Sequence, residues 1–285
     1  MSEAEVPVLL PATVAYYSSQ LTEFIERDRV AEAILLLRFL VKCEVLQENE
    51  PHKAEWKNAL ELLESEFPQV ADEEIEDERE MRRRVAEMKA ENNITYVDQM
   101  AVQFLNGGEQ QAFALDQLSL LNYERLTPML LSWLQEERDT MIQWMALQVL
   151  RQQGLNQPVE FVKHGIKVTM EPSEIPLTED DYPLAWRQIG YLATEVASHM
   201  DAQLADWVGQ TWMHVFISQF GTPEYSNWIQ QLEAYPNMWA CAVHFQVTEL
   251  VNPGMDFALF AEAYELQDVR PEVLEEVATL MKTLK

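Results

Sequence analysis

The chain of 285 residues has little cysteine and little glycine. Its two cysteines, Cys43 and Cys241, form no Cys-x-x-Cys pair, so the sequence indicates neither a disulfide framework nor a zinc site. Such sparse cysteine is typical of a reducing cytoplasm, the location that we expect. The glycine-dependent motifs are missing too, since the sequence contains no Walker loop, no G-x-G-x-x-G and no G-x-S-x-G.

Long hydrophobic runs are also lacking. The longest, Ala33–Val41, is interrupted by Arg38 and is too short to cross a bilayer. The first residues are acidic and broken by Pro7 and Pro11, unlike the basic start and apolar core of a signal peptide. We therefore expect no membrane span and no export signal.

Basic residues are few, with 20 Lys and Arg against 48 Asp and Glu, a net charge of −28. Between Arg187 and Arg270 there is no Lys or Arg at all. That stretch nevertheless carries ten acidic residues, at positions 195, 201, 206, 224, 233, 249, 256, 262, 265 and 268. Such a surface repels nucleic acid and anionic lipid and attracts basic partners. The plainer interpretation is an acidic surface that only keeps the protein soluble.

Apolar residues recur at helical spacing in most of the chain, and three N-terminal helices are predicted. Their apolar faces are Val14, Tyr17, Leu21, Phe24 and Ile25, then Val30, Ile34, Leu37 and Val41, then Trp56, Ala59, Leu60, Leu63 and Phe67. We expect Asp28 to cap the second helix, which is apolar nearly all round and therefore predicted to be buried.

The acidic segment 71–93 resembles an interaction tail at first sight. Its acids nevertheless precede its bases, as the helix dipole prefers, and Glu80 stands four residues before Arg84. A solvated helix with an apolar stripe at Met81, Val85 and Met88 is therefore the favoured interpretation, and a partner-binding acidic run is the alternative. A further short helix is predicted to end at Asn106-Gly107-Gly108.

The helical rhythm breaks after residue 157. Apolar residues alternate at Val159 and Phe161 and again from Ile166 to Met170, with Lys163-His164-Gly165 able to turn the chain, so a β-hairpin is predicted. A proline-rich connector follows, and about six helices fit after it. The predicted division is an N-terminal helical-repeat domain at 1–157, the hairpin and connector at 158–182, and a C-terminal helical domain at 183–285.

Two short stretches resemble helical repeats. Leu126–Gly154 resembles a HEAT-type helix pair, with Pro128 opening the first helix, Asp139 capping the second and Gln143 where that family usually carries arginine. The N-terminal group is similar to a tetratricopeptide unit, with three residues at matching positions and Leu21 where a small residue is usual. The matching residues are Tyr17, Phe24 and Ala33. These resemblances imply stacked antiparallel helix pairs.

The C-terminal segment 257–284 is similar to a helix-turn-helix, with Ala261 and Tyr264 in the first helix and Val269 in the turn. A recognition helix must offer donors to bases and phosphates. The second helix instead offers Glu272, Glu275 and Glu276. We therefore expect no nucleic-acid binding.

Candidate chemistry centres on the histidines. Glu195 and His199 are four residues apart on a predicted helix, and Glu160 and His164 repeat the spacing near the hairpin. A carboxylate-bridged metal site in a helix bundle needs Glu-x-x-His instead, so surface hydrogen bonds are the favoured roles. His244 follows Cys241 by three residues in an apolar segment, where both are expected to be core residues. We predict no catalytic residue, no metal and no cofactor.

Eight tryptophans remain, six of them from Trp144 onward. Four lie in the stretch without Lys or Arg: Trp207, Trp212, Trp228 and Trp239. Core or inter-helix packing is the favoured role. The alternative is that these four anchor a basic or amphipathic peptide in an aromatic, acidic groove.

Together these patterns predict an all-α protein of stacked antiparallel helix pairs, an α-α superhelix, with one small β-hairpin insert. Such surfaces commonly bind other proteins, so the expected function is a non-catalytic scaffold or adaptor with a basic or amphipathic protein partner. The alternatives are a small-ligand protein or metal-dependent enzyme that uses the C-terminal bundle, and, less favoured, a transcription-related protein with a degenerate helix-turn-helix.

Overall fold

The computed structural model describes residues 8–9, 11–45, 50–68, 78–121, 123–266 and 269–282. These residues form 14 α-helices, one antiparallel hairpin and one very short parallel strand pair, which confirms the predicted all-α class with a small hairpin. Within them, no helix is both long enough and apolar enough to cross a membrane.

The chain divides into two compact units, residues 1–124 and 125–285. The predicted division at 1–157, 158–182 and 183–285 was based on the break in helical rhythm and stays a prediction. The hairpin that marks this break lies inside the second unit.

The first unit contains six helices in its described part. These are α1 (Pro11–Glu26), α2 (Val30–Lys42), α3 (Glu50–Glu66), α4 (Glu78–Asn92), α5 (Tyr96–Asn106) and α6 (Gln111–Leu120). Strand β1 (Val8–Leu9) pairs in parallel with β2 (Glu44–Val45). The sequence did not predict this pair, because strands of two residues show no alternation.

Helix α2 is the centre of the first core. Its residues Leu37 and Leu40 are fully buried and cluster with Leu21 of α1 and Trp56 of α3. Its other side packs on α4 through Ile34. The expectation that α2 is a buried helix is therefore confirmed for these faces, although Phe39 stays 41 % exposed.

The predicted cap of α2 is wrong. The helix begins at Val30 with Arg29 as N-cap residue, and no side chain caps it. Asp28 lies one residue further out, in a left-handed turn with φ of 59°, and its carboxylate accepts a hydrogen bond of 2.6 Å from Lys89 Nζ of α4. Asp28 thus connects the turn before α2 to α4 instead of capping the start of α2.

Helix α4 is more deeply embedded than a solvated helix. Its predicted apolar stripe, Met81, Val85 and Met88, is buried. Arg84 pairs with Glu80 at 2.9 Å, as its spacing predicted, while Arg82 forms ion pairs outside α4, with Glu32 of α2 and Asp116 of α6. Residues 71–77 of the acidic segment lie outside the described residues.

The second unit contains eight helices and the hairpin in its described part. These are α7 (Leu126–Trp133), α8 (Thr140–Gln152), β3 (Val159–Lys163), β4 (Ile166–Met170), α9 (Leu184–Ser198), α10 (Ala202–Gln219), α11 (Tyr225–Ala234), α12 (Pro236–Val251), α13 (Phe257–Ala263) and α14 (Pro271–Lys282). The six helices from α9 onward match the number predicted for this part of the chain.

Helices α7 and α8 form the helix pair that the sequence predicted, although α7 begins at Leu126, two residues before the predicted start at Pro128. Asp139 caps α8, since its carboxylate accepts hydrogen bonds of 3.0 Å from the amides of Met141 and Ile142. Gly154, with φ of 76°, follows the end of α8. Gln143, the departure from the HEAT pattern, is buried and donates a 2.7 Å hydrogen bond to the carbonyl of Val162 in β3.

The hairpin packs on helices of its own unit. Strands β3 and β4 pair with Phe161 opposite Val168, and the turn is His164-Gly165, with φ of 50° and 72° as a tight hairpin turn requires. Lys163, predicted to be in the turn, instead ends β3, and its buried Nζ donates to the carbonyls of Ile217 and Phe220 at the end of α10.

Helices α9 and α10 approach each other closely at Gly190. A Cβ at this position would lie 2.9 Å from Trp212 Cδ1, whereas a Cβ at Gly209 would lie 3.3 Å from a methyl group of Thr194. We expect Gly190→Ala to lower the free energy of unfolding by about 1 kcal/mol, because overpacking outweighs the better helix propensity of alanine.

Gly209→Ala is the matched control in the neighbouring helix, with a change expected near zero. Urea unfolding of both variants measures the difference. Equal effects would contradict the close approach at Gly190.

Candidate functional site

Three of the four tryptophans proposed as partner anchors lie in the core. Trp212, Trp228 and Trp239 are at most 2 % exposed, while Trp207, also on α10, is 37 % exposed. The favoured packing role is confirmed for the buried three. Their side chains cannot contact a partner while the fold is intact, so of the four only Trp207 is carried forward as a candidate anchor.

The buried tryptophans belong to one aromatic cluster. The ring of Trp212 lies 6.2 Å from Trp186 in a stacked arrangement, and 5.8 and 6.4 Å from Trp228 and Trp239. Its indole Nε1 donates a 2.9 Å hydrogen bond to the carbonyl of Trp186. The cluster joins α9, α10, α11 and α12, so these aromatic rings stabilise the bundle that carries the acidic stretch.

Eight acidic residues of the stretch are exposed, and together they are here called the acidic surface. It consists of the exposed carboxylates at Glu195, Asp201, Asp206, Glu224, Glu233, Asp256, Glu262 and Glu265. Residues 188–266 contribute no Lys or Arg to neutralise it. Glu249 is partly buried and accepts from the amides of Gly254 and Met255, and Asp268 lies outside the described residues.

Exposed apolar side chains lie in the same segments as these carboxylates. On α9, Tyr191 is 59 % exposed and stands one turn before Glu195; on α10, Trp207 follows Asp206 directly. Tyr235, 38 % exposed, has the guanidinium of Arg270 4.4 Å above its ring. The aromatic side chains here are thus suited to pack against cationic groups.

The two Glu–His pairs occupy different settings. Glu195 and His199 are exposed near the end of α9, whereas Glu160 lies on strand β3 and His164 in the hairpin turn. Among the residues that the structure describes, no three His, Cys, Asp or Glu side chains form a group suited to a metal ion.

His244 and Cys241 on α12 are fully buried, as expected. Burial raises the pKa of the Cys241 thiol to about 12 and lowers the pKa of His244 to about 4, because both charged forms would lack water. His244 Nδ1 lies 2.9 Å from the hydroxyl of Tyr264, but His244 Nε2 has no hydrogen-bond partner in the described structure. Tyr264 is the residue that the sequence resemblance placed in the first helix of a helix-turn-helix. In the structure it is a buried core residue in contact with His244.

The polar pair of His244 and Tyr264 was not predicted. The available signal was a histidine within the apolar segment of α12, 20 residues before a tyrosine. Their contact depends on how α12 and the end of α13 pack, which the spacing of residues along each helix does not specify.

These features define the class of protein: an all-α protein of packed helix pairs with one hairpin, an acidic surface and a buried aromatic cluster. Comparison of the chain with protein-family models, with curated proteins and with solved structures finds no match.

Proposed function

We propose that the chain is a non-catalytic adaptor whose acidic surface binds a basic, amphipathic segment of another protein. The observation that carries the proposal is the exposure of eight carboxylates across residues 188–266, a stretch without Lys or Arg. Other helices of the chain, in Leu126–Gly154 and in the N-terminal group, resemble HEAT and tetratricopeptide units, and the proposed location is the cytoplasm.

Uniform negative charge favours one kind of partner. A surface of one sign raises the local concentration of oppositely charged segments and speeds their association. The same field repels phosphate backbones and anionic lipid headgroups, because both are negative. A basic protein segment is therefore the complementary partner.

Aromatic side chains supply the second part of the proposed contact. Tyr191 and Trp207 offer large, partly exposed rings close in sequence to Glu195 and Asp206. Arginine side chains stack on such rings while their guanidinium groups pair with carboxylates. The stacking of Arg270 on Tyr235 is an intramolecular example on this unit.

Titration of the full chain with a fluorescent amphipathic peptide that alternates Leu with Lys and Arg tests the proposal. We expect binding that weakens roughly tenfold between low salt and physiological salt, because exposed ion pairs are screened. A peptide of the same length with Gln in place of Lys and Arg should not bind. An affinity that does not change with salt concentration, or equal binding of both peptides, would overturn the proposal.

Two charge-matched variants locate the contact. Replacing four carboxylates of the acidic surface by amides should weaken peptide binding roughly tenfold or more, since each exposed pair contributes up to about 1 kcal/mol. The substitutions are Glu195→Gln, Asp206→Asn, Glu224→Gln and Glu233→Gln. The control changes four exposed acids of the first unit: Glu66→Gln, Glu91→Gln, Glu109→Gln and Glu124→Gln. An equal loss in both variants would show that net charge alone, without a site, drives the binding.

A further inference from the structure

An apolar cavity of about 460 Å³ lies between α9, α12 and α13 in the second unit. Most of its lining is aliphatic or aromatic, including Leu192, Val196, Met200, Met255, Leu259 and Phe260. Met200 and Leu259 are more than half exposed.

His244 also lines this cavity, and its Nε2 is one of five buried side-chain polar atoms without a hydrogen-bond partner in the described part of the chain. A buried polar group without a hydrogen bond costs about 1–3 kcal/mol of stability, so its presence needs an explanation. The chemistry of the missing partner depends on which nitrogen of the imidazole carries the proton.

The neighbouring tyrosine decides the tautomer. The single hydroxyl proton of Tyr264 has two acceptors within reach, His244 Nδ1 at 2.9 Å and the carbonyl oxygen of Ala193 at 3.4 Å. If the proton lies on the shorter contact, Nδ1 is the acceptor; if it points to Ala193, Nδ1 donates to the phenol oxygen and Nε2 is itself an acceptor. A neutral imidazole that accepts at Nδ1 carries its own proton at Nε2, which therefore needs an acceptor.

We propose that Tyr264 donates to His244 Nδ1 and that this cavity binds an uncharged molecule with a large apolar body and one hydrogen-bond acceptor, such as a ketone or an ester carbonyl. The apolar body fills the space between α9, α12 and α13, and the carbonyl oxygen accepts from His244 Nε2. This site does not depend on the proposed adaptor function.

The charge around the cavity disfavours a carboxylate or phosphate ligand, although a second histidine, His199, also lines the cavity. Glu195 lines the cavity with Leu192 and Val196, and residues 188–266 offer no Lys or Arg to pair with an anion. An anion buried beside a carboxylate without a cation is strongly disfavoured. Met200 and Met255 also line the cavity, and methionine side chains adapt readily to the shape of a ligand.

Three probes of one shape test the ligand class on the full chain by isothermal titration calorimetry. They are 2-acetylnaphthalene, which has a carbonyl acceptor, 2-ethylnaphthalene, which has none, and 2-naphthoate, which is an anion. We expect 2-acetylnaphthalene to bind and 2-naphthoate to bind at least about tenfold more weakly. Absence of 2-acetylnaphthalene binding, or preferential binding of 2-naphthoate, would overturn the proposal.

The site itself is tested by filling it. Ala263 is an exposed residue of α13 that lines the cavity, and Ala258 is an exposed residue of the same helix that does not. Ala263→Trp should abolish binding of 2-acetylnaphthalene, whereas Ala258→Trp should leave it unchanged. Because both positions are exposed, both variants are expected to fold. Equal binding of 2-acetylnaphthalene by the two variants would contradict a binding site in this cavity.

The role of His244 is tested by the ratio of affinities for the acetyl and ethyl probes. In His244→Phe this ratio should fall about fivefold, the value of one modest hydrogen bond. Thermal unfolding checks that the variant folds, and His244→Asn serves if it does not. An unchanged affinity ratio in a folded variant would contradict the hydrogen bond from His244 Nε2 to the carbonyl of the ligand.

Discussion

Trp212→Ala is expected to lower the free energy of unfolding by about 3–5 kcal/mol, the usual cost of removing a large buried aromatic side chain. Trp212 is 2 % exposed, and its ring contacts those of Trp186, Trp228 and Trp239. Alanine would leave a void at the junction of four helices, because α9 is already held close to α10 at Gly190. The carbonyl of Trp186 would also lose its indole donor.

Trp207→Ala is the matched control, since it removes the same side chain from the same helix. Trp207 is 37 % exposed, so we expect a loss below about 1 kcal/mol. Urea unfolding followed by circular dichroism measures both variants. Similar losses would place Trp207 in the core with Trp212 and contradict the burial described here.

The same two variants separate stability from binding. Because Trp207 is exposed next to Asp206, Trp207→Ala should weaken binding of the basic peptide with little effect on stability. Trp212 contributes to binding only by holding α9 and α10 together. At a temperature where it remains folded, Trp212→Ala should therefore bind the peptide as the unaltered chain does.

Local signals predicted the elements of this fold well. Asp139 caps α8 because an acceptor before an apolar run meets the free amides of the first turn. The alternation at Val159 and Phe161 marks β3, where both side chains are buried. These features depend on residues within one turn or one strand, so the order of residues is sufficient to predict them.

Contacts between elements were predicted less well. The sequence shows that Asp28 has a side chain able to cap, but not that Lys89, 61 residues later, holds this carboxylate. Similarly, alternation places Lys163 near a turn, but not against the carbonyls that end α10. Such contacts depend on how helices pack, and propensity alone does not encode packing.

The tryptophans show the same limit within one helix. Trp207 and Trp212 are five residues apart on α10, in the same acidic stretch. Only the packing of α9, α11 and α12 around α10 determines that one ring is half-buried and the other is enclosed. Composition suggested an aromatic, acidic groove, whereas the structure separates an aromatic core from an acidic exterior.

His244 is expected to make the second unit less stable as the pH falls. In the unfolded chain a histidine binds a proton near pH 6.5, but burial lowers the pKa of folded His244 to about 4. Between these values the unfolded chain binds one proton more than the folded chain, so acidification favours unfolding. This contribution to the free energy of unfolding is fully present above about pH 6.5. About 2 kcal/mol of it is lost between about pH 7 and about pH 5.

Glu195 and His199 are further ionisable groups that line the cavity beside His244. Cys241 and Tyr264 stay protonated over the pH range in which His244 titrates, because burial raises both pKa values. His244→Phe keeps all of these groups and removes one titration. The pH-dependent loss of stability should therefore be about 2 kcal/mol smaller in His244→Phe than in the unaltered chain.

The measurement is the free energy of urea unfolding at each pH for three proteins: the unaltered chain, His244→Phe and His214→Phe. His214 is an exposed histidine of α10, and its replacement is the control for the loss of a histidine that is not buried. A protonated imidazole would donate from Nδ1 to the phenol oxygen of Tyr264, whose own proton would turn towards the carbonyl of Ala193, and the proton on Nε2 would lack an acceptor. If the free energy of unfolding of His244→Phe depends on pH as that of the unaltered chain does down to about pH 5, His244 must gain its proton in the folded protein. The cavity must then admit water to Nε2.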